Sequence, residues 1–405
     1  MVAVAVAVLF VSAAALAITT ACSMVLRTRV ELATRRIANY RPVASAQLAA
    51  YLVGTRSAPP PHPRGRFQQS VMRELLLSFA ANVRGEAAGV VASLFRRYGL
   101  VEPARRNLNA RRSLTRIRAA EALGAMGLQE AIPWLLDGLR HDDRQLRFAC
   151  ARSLSALGAV SAVAEVDAAL SPTQAELGQR IDLLVGFGAG AIPILIGDLR
   201  GRPGGRRQWL AAEALGELRA ASAVVPLSTA LDTAGDELSA RAARALGRIG
   251  DHRATDALAR AVASQRPWFV RAAAAGALGA IADPATAGLL VWALAGEQWD
   301  VRNAAARALT ALDAAGVAAV AERLDLLGDE AVAQFLGTCD AAGVIEQIIA
   351  RAAGGDSDRD DLIRRGHRAG ISAALERVAG EDGRAGRYAA AVLSTGPAAH
   401  RLVAP

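Results

Sequence analysis

The chain has 405 residues and a formal net charge of +9, with 53% apolar residues but only 4% aromatics. That balance excludes a β-sandwich or barrel, which draws on β-branched and aromatic side chains, and favours helices built from Ala and Leu. All 47 basic residues are Arg, and Cys22, Cys150 and Cys339 lie far apart with no C-x-x-C, so neither a disulfide framework nor a zinc site is indicated.

In chain order, residues 2–26 carry no charged side chain. A helix of that length spans about 37 Å, enough to cross about 30 Å of hydrocarbon. Arg27, Arg29, Arg35, Arg36 and Arg41 follow, with Glu31 as the only acid among them, and no basic residue precedes the segment. The positive-inside bias therefore predicts one transmembrane anchor with everything after it in the cytoplasm. A cleaved signal peptide is the rival, but it would open with a basic region; a lipoprotein would use Cys22, but Thr19 is a poor residue three positions before it. Next comes a short helical stretch, Val43 to Val53. Residues 54–66 then include Pro59, Pro60, Pro61 and Pro63, which predict a stiff extended spacer. The expected organisation is an anchor over 2–26, a basic juxtamembrane helix and Pro-rich linker over 27–66, and a helical repeat domain over 67–405.

The repeat shows in two leucine ladders. One runs through Leu94, Leu123, Leu154, Leu184, Leu215, Leu246, Leu278 and Leu309, with gaps of 29 to 32 residues. The other, out of phase with it, runs through Leu139, Leu170, Leu199, Leu231, Val262, Leu294 and Leu324. Each unit reads as helix, turn, helix, turn. The second helix is Ala-rich and one-faced, and closes on a glycine such as Gly127, Gly158 or Gly250. Asp251, Asp283 and Asp313 are placed to cap the helices that follow. No hairpin buries its face alone, so stacking must supply the core.

With its Val270-Arg271-Ala272-Ala273 and Val301-Arg302-Asn303-Ala304-Ala305 phrases, the chain resembles bacterial HEAT-repeat proteins, especially the short repeats of phycobilisome-lyase type. The clear match spans about Leu94 to Leu324, with degenerate copies over 334–348 and 387–396 and a first, capping pair over 67–98. The resemblance implies an all-α fold, an α-solenoid of about ten stacked hairpins with a concave binding surface, and does not imply lyase activity. HEAT-like hydroxylases carry metal-binding His-Glu pairs, and this sequence has no such dipeptide.

Chemistry is hard to find. His62, His141, His252, His367 and His400 are scattered and read as solvated turn residues. Asp356, Asp358 and Asp360 lack the later glycine and glutamate of a calcium loop, so they read as a turn before a helix near Leu362. The glycines over 186–193 follow no strand and fall at a repeat turn. No catalytic site, cofactor or metal is expected.

Binding candidates come from charge and aromatics. Arg27 to Arg118 holds 18 arginines and four acids, a net of +14 against −5 for the rest. The densest stretch carries Arg105, Arg106, Arg111, Arg112, Arg116 and Arg118, a footprint for anionic lipid, or for nucleic acid, which the lack of interleaved aromatics disfavours. Solvated surface arginines are the plain alternative. Trp268 and Trp299 each stand ten residues before a ladder leucine and occupy equivalent turns, as an interface hot spot or as turn packing. Trp134 and Trp292 fall in first helices and read as core. The expectation is a non-enzymatic scaffold or accessory subunit at the cytoplasmic membrane, with a protein partner and an anionic surface. The alternatives are a lyase-like ligand holder and a nucleic-acid-binding solenoid.

Overall fold

The computed structural model describes residues 2–83, 85–170, 177–201 and 205–395, with side chains from residue 19 onward except 26 and 29–33. Helices fill it, and no strand forms among the described residues. The chain divides into two compact units, Met1–Ser171 and Pro172–Pro405.

Within each unit helical hairpins stack on one another, the arrangement of an α-solenoid. Every member of the first leucine ladder is buried, from Leu94 to Leu309. In the second ladder Leu139, Leu199, Leu231, Val262 and Leu294 are buried, while Leu170 and Leu324 are half-buried. Cys150 and Cys339 behave as apolar core residues; burial pushes their thiols up to about 12 and about 11. The two degenerate stretches also fold as helices, Asp329–Ala341 with Ile345–Ala353, and Arg384–Ser394.

The recurring "ALG" phrase has a steric cause. Gly124, Gly216, Gly247 and Gly279 each follow a ladder leucine and face the second helix of the next hairpin. A Cβ on Gly216 would lie 2.8 Å from Ala245 Cα, on Gly247 2.9 Å from Ala277 Cα, and on Gly279 2.6 Å from Ala308 Cα. On Gly124 it would lie 2.5 Å from Ser153 Cβ. Neighbouring helices therefore touch backbone to backbone, which only small residues permit.

Four residues after each ladder leucine from Leu123 to Leu309 the backbone turns left-handed: Gly127, Gly158, Gly188 and Gly250, but also Arg219, Ala282 and Asp313 at φ 47°, 58° and 51°. Asp251 and Asp283 cap as expected, accepting from the amides of Arg253 and Ala285. Asp313 does not: its side chain makes no cap bond, because the residue is itself the left-handed one.

The N-terminal part departs from expectation. A single helix, Val2–Leu52, takes in both the stretch expected as an anchor and the short helix expected from Val43, with Pro42 inside it. The anchor expected over 2–26 falls largely outside the residues whose side chains are described. Among the described residues no single helix is long and apolar enough to cross a membrane. Near its end Ala44 and Leu48 are buried, and the Tyr40 ring meets Phe67, on the helix Gly65–Asn82, at 6.4 Å. The Pro-rich segment forms no helix, and it is packed where a spacer was expected: Pro60 and Pro63 are buried, and Tyr98 Oη donates to the Pro60 carbonyl at 2.8 Å. Its prolines give shape-fitting apolar rings and a free carbonyl, so the segment serves as a strap on the first hairpin.

The close approach predicts opposite outcomes for two glycines of the helix Trp268–Ile281. Gly279→Val drives side-chain atoms into the Ala308 backbone and should lower the unfolding free energy by about 1–3 kcal/mol. Gly276→Ala meets nothing within 4 Å and should raise it by up to about 1 kcal/mol. Chemical denaturation followed by circular dichroism separates them; equal effects would mean that the helix contact is not tight.

Candidate interaction surface

The arginines of the repeats mostly serve the fold. Arg116, Arg147, Arg271 and Arg302 all stand seven residues before a ladder leucine, one turn into the second helix. From there the side chain reaches back over the preceding turn. Arg116 Nη1 donates to the carbonyls of Ala110 and Arg111 at 3.0 and 3.2 Å. Arg147 Nη1 does the same to His141 and Asp142 at 2.9 and 3.0 Å, and Arg302 Nη1 to Gly296 and Glu297 at 3.3 and 2.8 Å. Gln208 and Ser239 fill the same place elsewhere with shorter side chains, which bond the carbonyls of Leu199 and Gly201, and of Ala230 and Ala234.

The clamp also ties one hairpin to the next. Arg116 Nη2 bonds Asp143 Oδ2 at 2.9 Å, where Asp143 is the N-cap of the helix Arg144–Ala156. Hydrogen bonds from Ser113 Oγ above all, then from Arg116 and the Leu146 and Gln145 amides, hold the Asp143 carboxyl at about 2 against its ordinary 3.8. Arg302 reaches Glu330 at 3.1 Å and Gln334 at 3.2 Å. Arg266 closes another seam from the opposite side, donating to Asp232 O, Ala234 O and Ser239 Oγ. Buried Glu213 gathers Arg241 at 3.2 Å and Arg248 at 2.6 Å from the next helix, and the Arg241 guanidinium lies 5.2 Å over the Trp209 ring.

Two seams of the second unit stay open at this turn edge. One holds a cavity of about 530 Å³ between Gly201, Gln208 and Trp209 on one hairpin and Thr229, Thr233 and Glu237 on the next. The other, about 300 Å³, lies between Gln265 and Arg271 on one side and Trp292, Glu297 and Gln298 on the other. Arg271 does not clamp its own turn; among the described residues it has no hydrogen-bond or ion-pair partner, and its Nε is buried.

The arginine-rich stretch divides. Arg116 is a half-buried clamp and drops out as a surface ligand, because its register on the helix points it at Asp143. Arg105 bonds Glu102 at 2.7 Å and lies 5.5 Å over the Trp134 ring. Arg106 lies 4.0 Å from Glu102 and remains exposed, as do Arg111, Arg112 and Arg118. The tryptophans divide too. Trp268 and Trp299 open equivalent helices and are 47% and 59% exposed, while Trp292, foreseen as core, is 54% exposed. Trp292 stands two residues before the ladder Leu294 and so points away from the stacking face. Trp134 is half-buried under Arg105.

His141 and His252 are exposed in turns as foreseen, and His62 is exposed beside Tyr98. His367 is not: it is buried in the helix Ser357–Arg368, with Nδ1 2.8 Å from Ser372 Oγ, because its register faces the core. His400 lies outside the described residues. Asp356 caps that helix through the Arg359 amide, so the helix begins five residues earlier than the sequence suggested and takes Asp358 and Asp360 into its first turn. No group of three or more His, Cys, Asp or Glu able to hold a metal occurs among the described residues. Sequence reasoning missed Trp209, Arg266 and Arg271; aligning the hairpins on the ladder leucine brings all three out.

Comparison with known proteins finds HEAT repeats over residues 71–177 and 199–279. No curated protein matches the chain. Solved structures similar to it include human deoxyhypusine hydroxylase in complex with glycerol, at 18% identity over 68% of this chain and 99% of that one, with a TM-score of 0.28. The complex of CpcE and CpcF of phycocyanin lyase from Nostoc sp. is 22% identical over 67% of this chain and 97% of that one, with a TM-score of 0.25. YibA of Escherichia coli is 14% identical over 69% and 97%, with a TM-score of 0.33.

Asp143→Ala removes a helix cap and strands Arg116, so the unfolding free energy should fall by about 2 kcal/mol. The Asp143 carboxyl is depressed in the folded chain, so its contribution is full above its ordinary 3.8 and is lost as pH falls through about 2. Urea midpoints of the variant and the parent should therefore draw together over that interval. A gap that stays constant with pH would show that the ionised pair is not what stabilises the seam.

Proposed function

We propose that the protein is a non-enzymatic interaction scaffold, held at the cytoplasmic face of a membrane by its N-terminal helix. The observation that carries the binding role is the cluster of exposed tryptophans, Trp268, Trp292 and Trp299, within three successive helices of the second unit. Tryptophan buries more apolar area than any other side chain and is enriched at binding hot spots. Three such rings in solvent on one short stretch suit a surface made to be covered.

Membrane attachment rests on the uncharged residues 2–26 at the head of the helix Val2–Leu52 and on the arginines that follow them. The exposed Arg106, Arg111, Arg112 and Arg118 add an electrostatic attraction to anionic lipid of about 1 kcal/mol each near the surface. Nucleic acid is disfavoured because many repeat arginines are engaged with carbonyls and carboxylates of the stack. A ligand-holding role is the second reading, favoured by the cavity of about 530 Å³ beside Trp209.

Three measurements test this. The full chain should stay with membranes through a high-salt wash, and a chain lacking residues 2–26 should not; equal release of both would remove the anchor. Affinity purification from detergent-solubilised membranes should recover a stoichiometric protein partner that is lost from a Trp268→Ala, Trp299→Ala variant; recovery of none would remove the scaffold reading. The chain lacking residues 2–26 should bind acidic vesicles at low salt, and replacing Arg106, Arg111, Arg112 and Arg118 by Gln should weaken that binding at least about tenfold. Stronger retention on duplex DNA than on vesicles would favour the nucleic-acid reading instead.

A further inference from the structure

The four clamp arginines are equivalent in sequence, but Arg271 is not equivalent in bonding. Arg116 and Arg302 each hold two turn carbonyls and a carboxylate of the next hairpin, Asp143 or Glu330. Arg271 holds neither among the described residues, although its side chain lines a cavity of about 300 Å³ at the same seam.

The reason lies one hairpin on. Asp143 stands eleven residues before its ladder leucine, as N-cap of its helix. The residue at that place opposite Arg271 is Gln298, also an N-cap, but neutral and making no cap bond. Thus the seam keeps the cation and carries a neutral residue at the place where Asp143 stands. The opposite wall is fixed independently, since Arg302 holds the carbonyls of Gly296 and Glu297. Glu297 also lines the cavity, yet it forms no ion pair with Arg271.

We infer that this notch binds a carboxylate supplied by an acidic segment of a protein partner, with Arg271 as its counter-ion. A guanidinium partly removed from water binds a carboxylate more strongly than an exposed one does, through two parallel hydrogen bonds. Trp292 forms one wall and is itself more than half exposed, so an apolar residue beside the acid gains contact area there. Trp299 adjoins Gln298 in sequence and Trp268 is one turn before Arg271 on the same helix, and both are exposed, although Trp292 is the tryptophan that lines the cavity. Charge and apolar area together select an Asp or Glu flanked by large apolar residues. This rests on the scaffold reading above and names the chemistry of its partner.

The probes are a pool of short peptides with one central Glu flanked by leucines and aromatics, and the same pool with Gln in place of Glu. Both are presented to the full chain in detergent. The Glu pool should be retained over the Gln pool, and Arg271→Gln should abolish the preference, weakening retention at least about tenfold. Gln298→Asp restores the carboxylate of the Arg116–Asp143 seam in cis. It should raise the unfolding midpoint and also block the peptides, which a merely structural Arg271 would not do. Trp292→Ala should weaken the Glu pool while leaving the midpoint unchanged. Equal retention of the two pools, or a preference that survives Arg271→Gln, overturns the inference. Displacement by free glutamate at matched carboxylate concentration overturns its protein partner in favour of a small acid. A partner that co-purifies equally with the parent and with Arg271→Gln leaves the scaffold standing and removes the notch.

Discussion

The contact that the structure depends on is the one between a glycine and the backbone of the next helix. At Gly216, Gly247 and Gly279 successive second helices approach so closely that a single added carbon would collide with Cα atoms of Ala245, Ala277 and Ala308. An interface of that kind contains few large side chains to bury, so its stabilisation comes from dense dispersion contacts and from the leucine just before each glycine. It also fixes the distance between hairpins. Everything mounted on the hairpin turns, from the Asp251 cap to the clamp arginines, inherits its spacing from that contact.

Gln208 and Ser239 bond turn carbonyls from their place in the repeat, but at Arg116 and Arg302 the longer arginine also reaches the next hairpin. Its planar fork bonds two turn carbonyls and a carboxylate together, which a lysine ammonium does less well. This gives a physical role to much of the arginine in a chain that has no lysine. It also corrects the picture of the stretch from Arg105 to Arg118 as one basic patch: Arg116 is inward, Arg105 and Arg106 share Glu102, and Arg111, Arg112 and Arg118 are exposed without a carboxylate partner among the described residues.

What was legible in the sequence was what repeats. The leucine ladder gave the buried face of every second helix, and the glycines four residues on gave the turns, because both follow from helix periodicity and backbone sterics. What was missed depends on direction within a turn of helix or on contacts distant in sequence. Trp292 lies in a helix rich in Leu and Ala, so composition assigned it to the core, while its register two residues from Leu294 turns it outward. His367 goes the other way, inward from a helix of charged residues. The Pro-rich segment reads as a spacer because its own residues make no regular structure; that Tyr98 anchors it requires a partner 38 residues away.

A repeat fold carries its own control experiment, since each hairpin shows what its neighbours' residues do when nothing else is asked of them. Two seams are closed by a guanidinium that holds turn carbonyls and a facing carboxylate, Arg147 holds the carbonyls of its own turn, and Arg271 keeps the guanidinium while the facing N-cap is Gln298. Had the clamp merely decayed there, the arginine would have little reason to stay, because an unpaired cation half out of water is a cost to the folded state. The same hairpin pair exposes Trp268, Trp292 and Trp299, which elsewhere in the stack would be a second cost. Two local departures from the repeat rule, one electrostatic and one apolar, meet at a single edge. Each is unfavourable to the isolated chain and favourable to a complex in which a carboxylate and an apolar side chain cover them together.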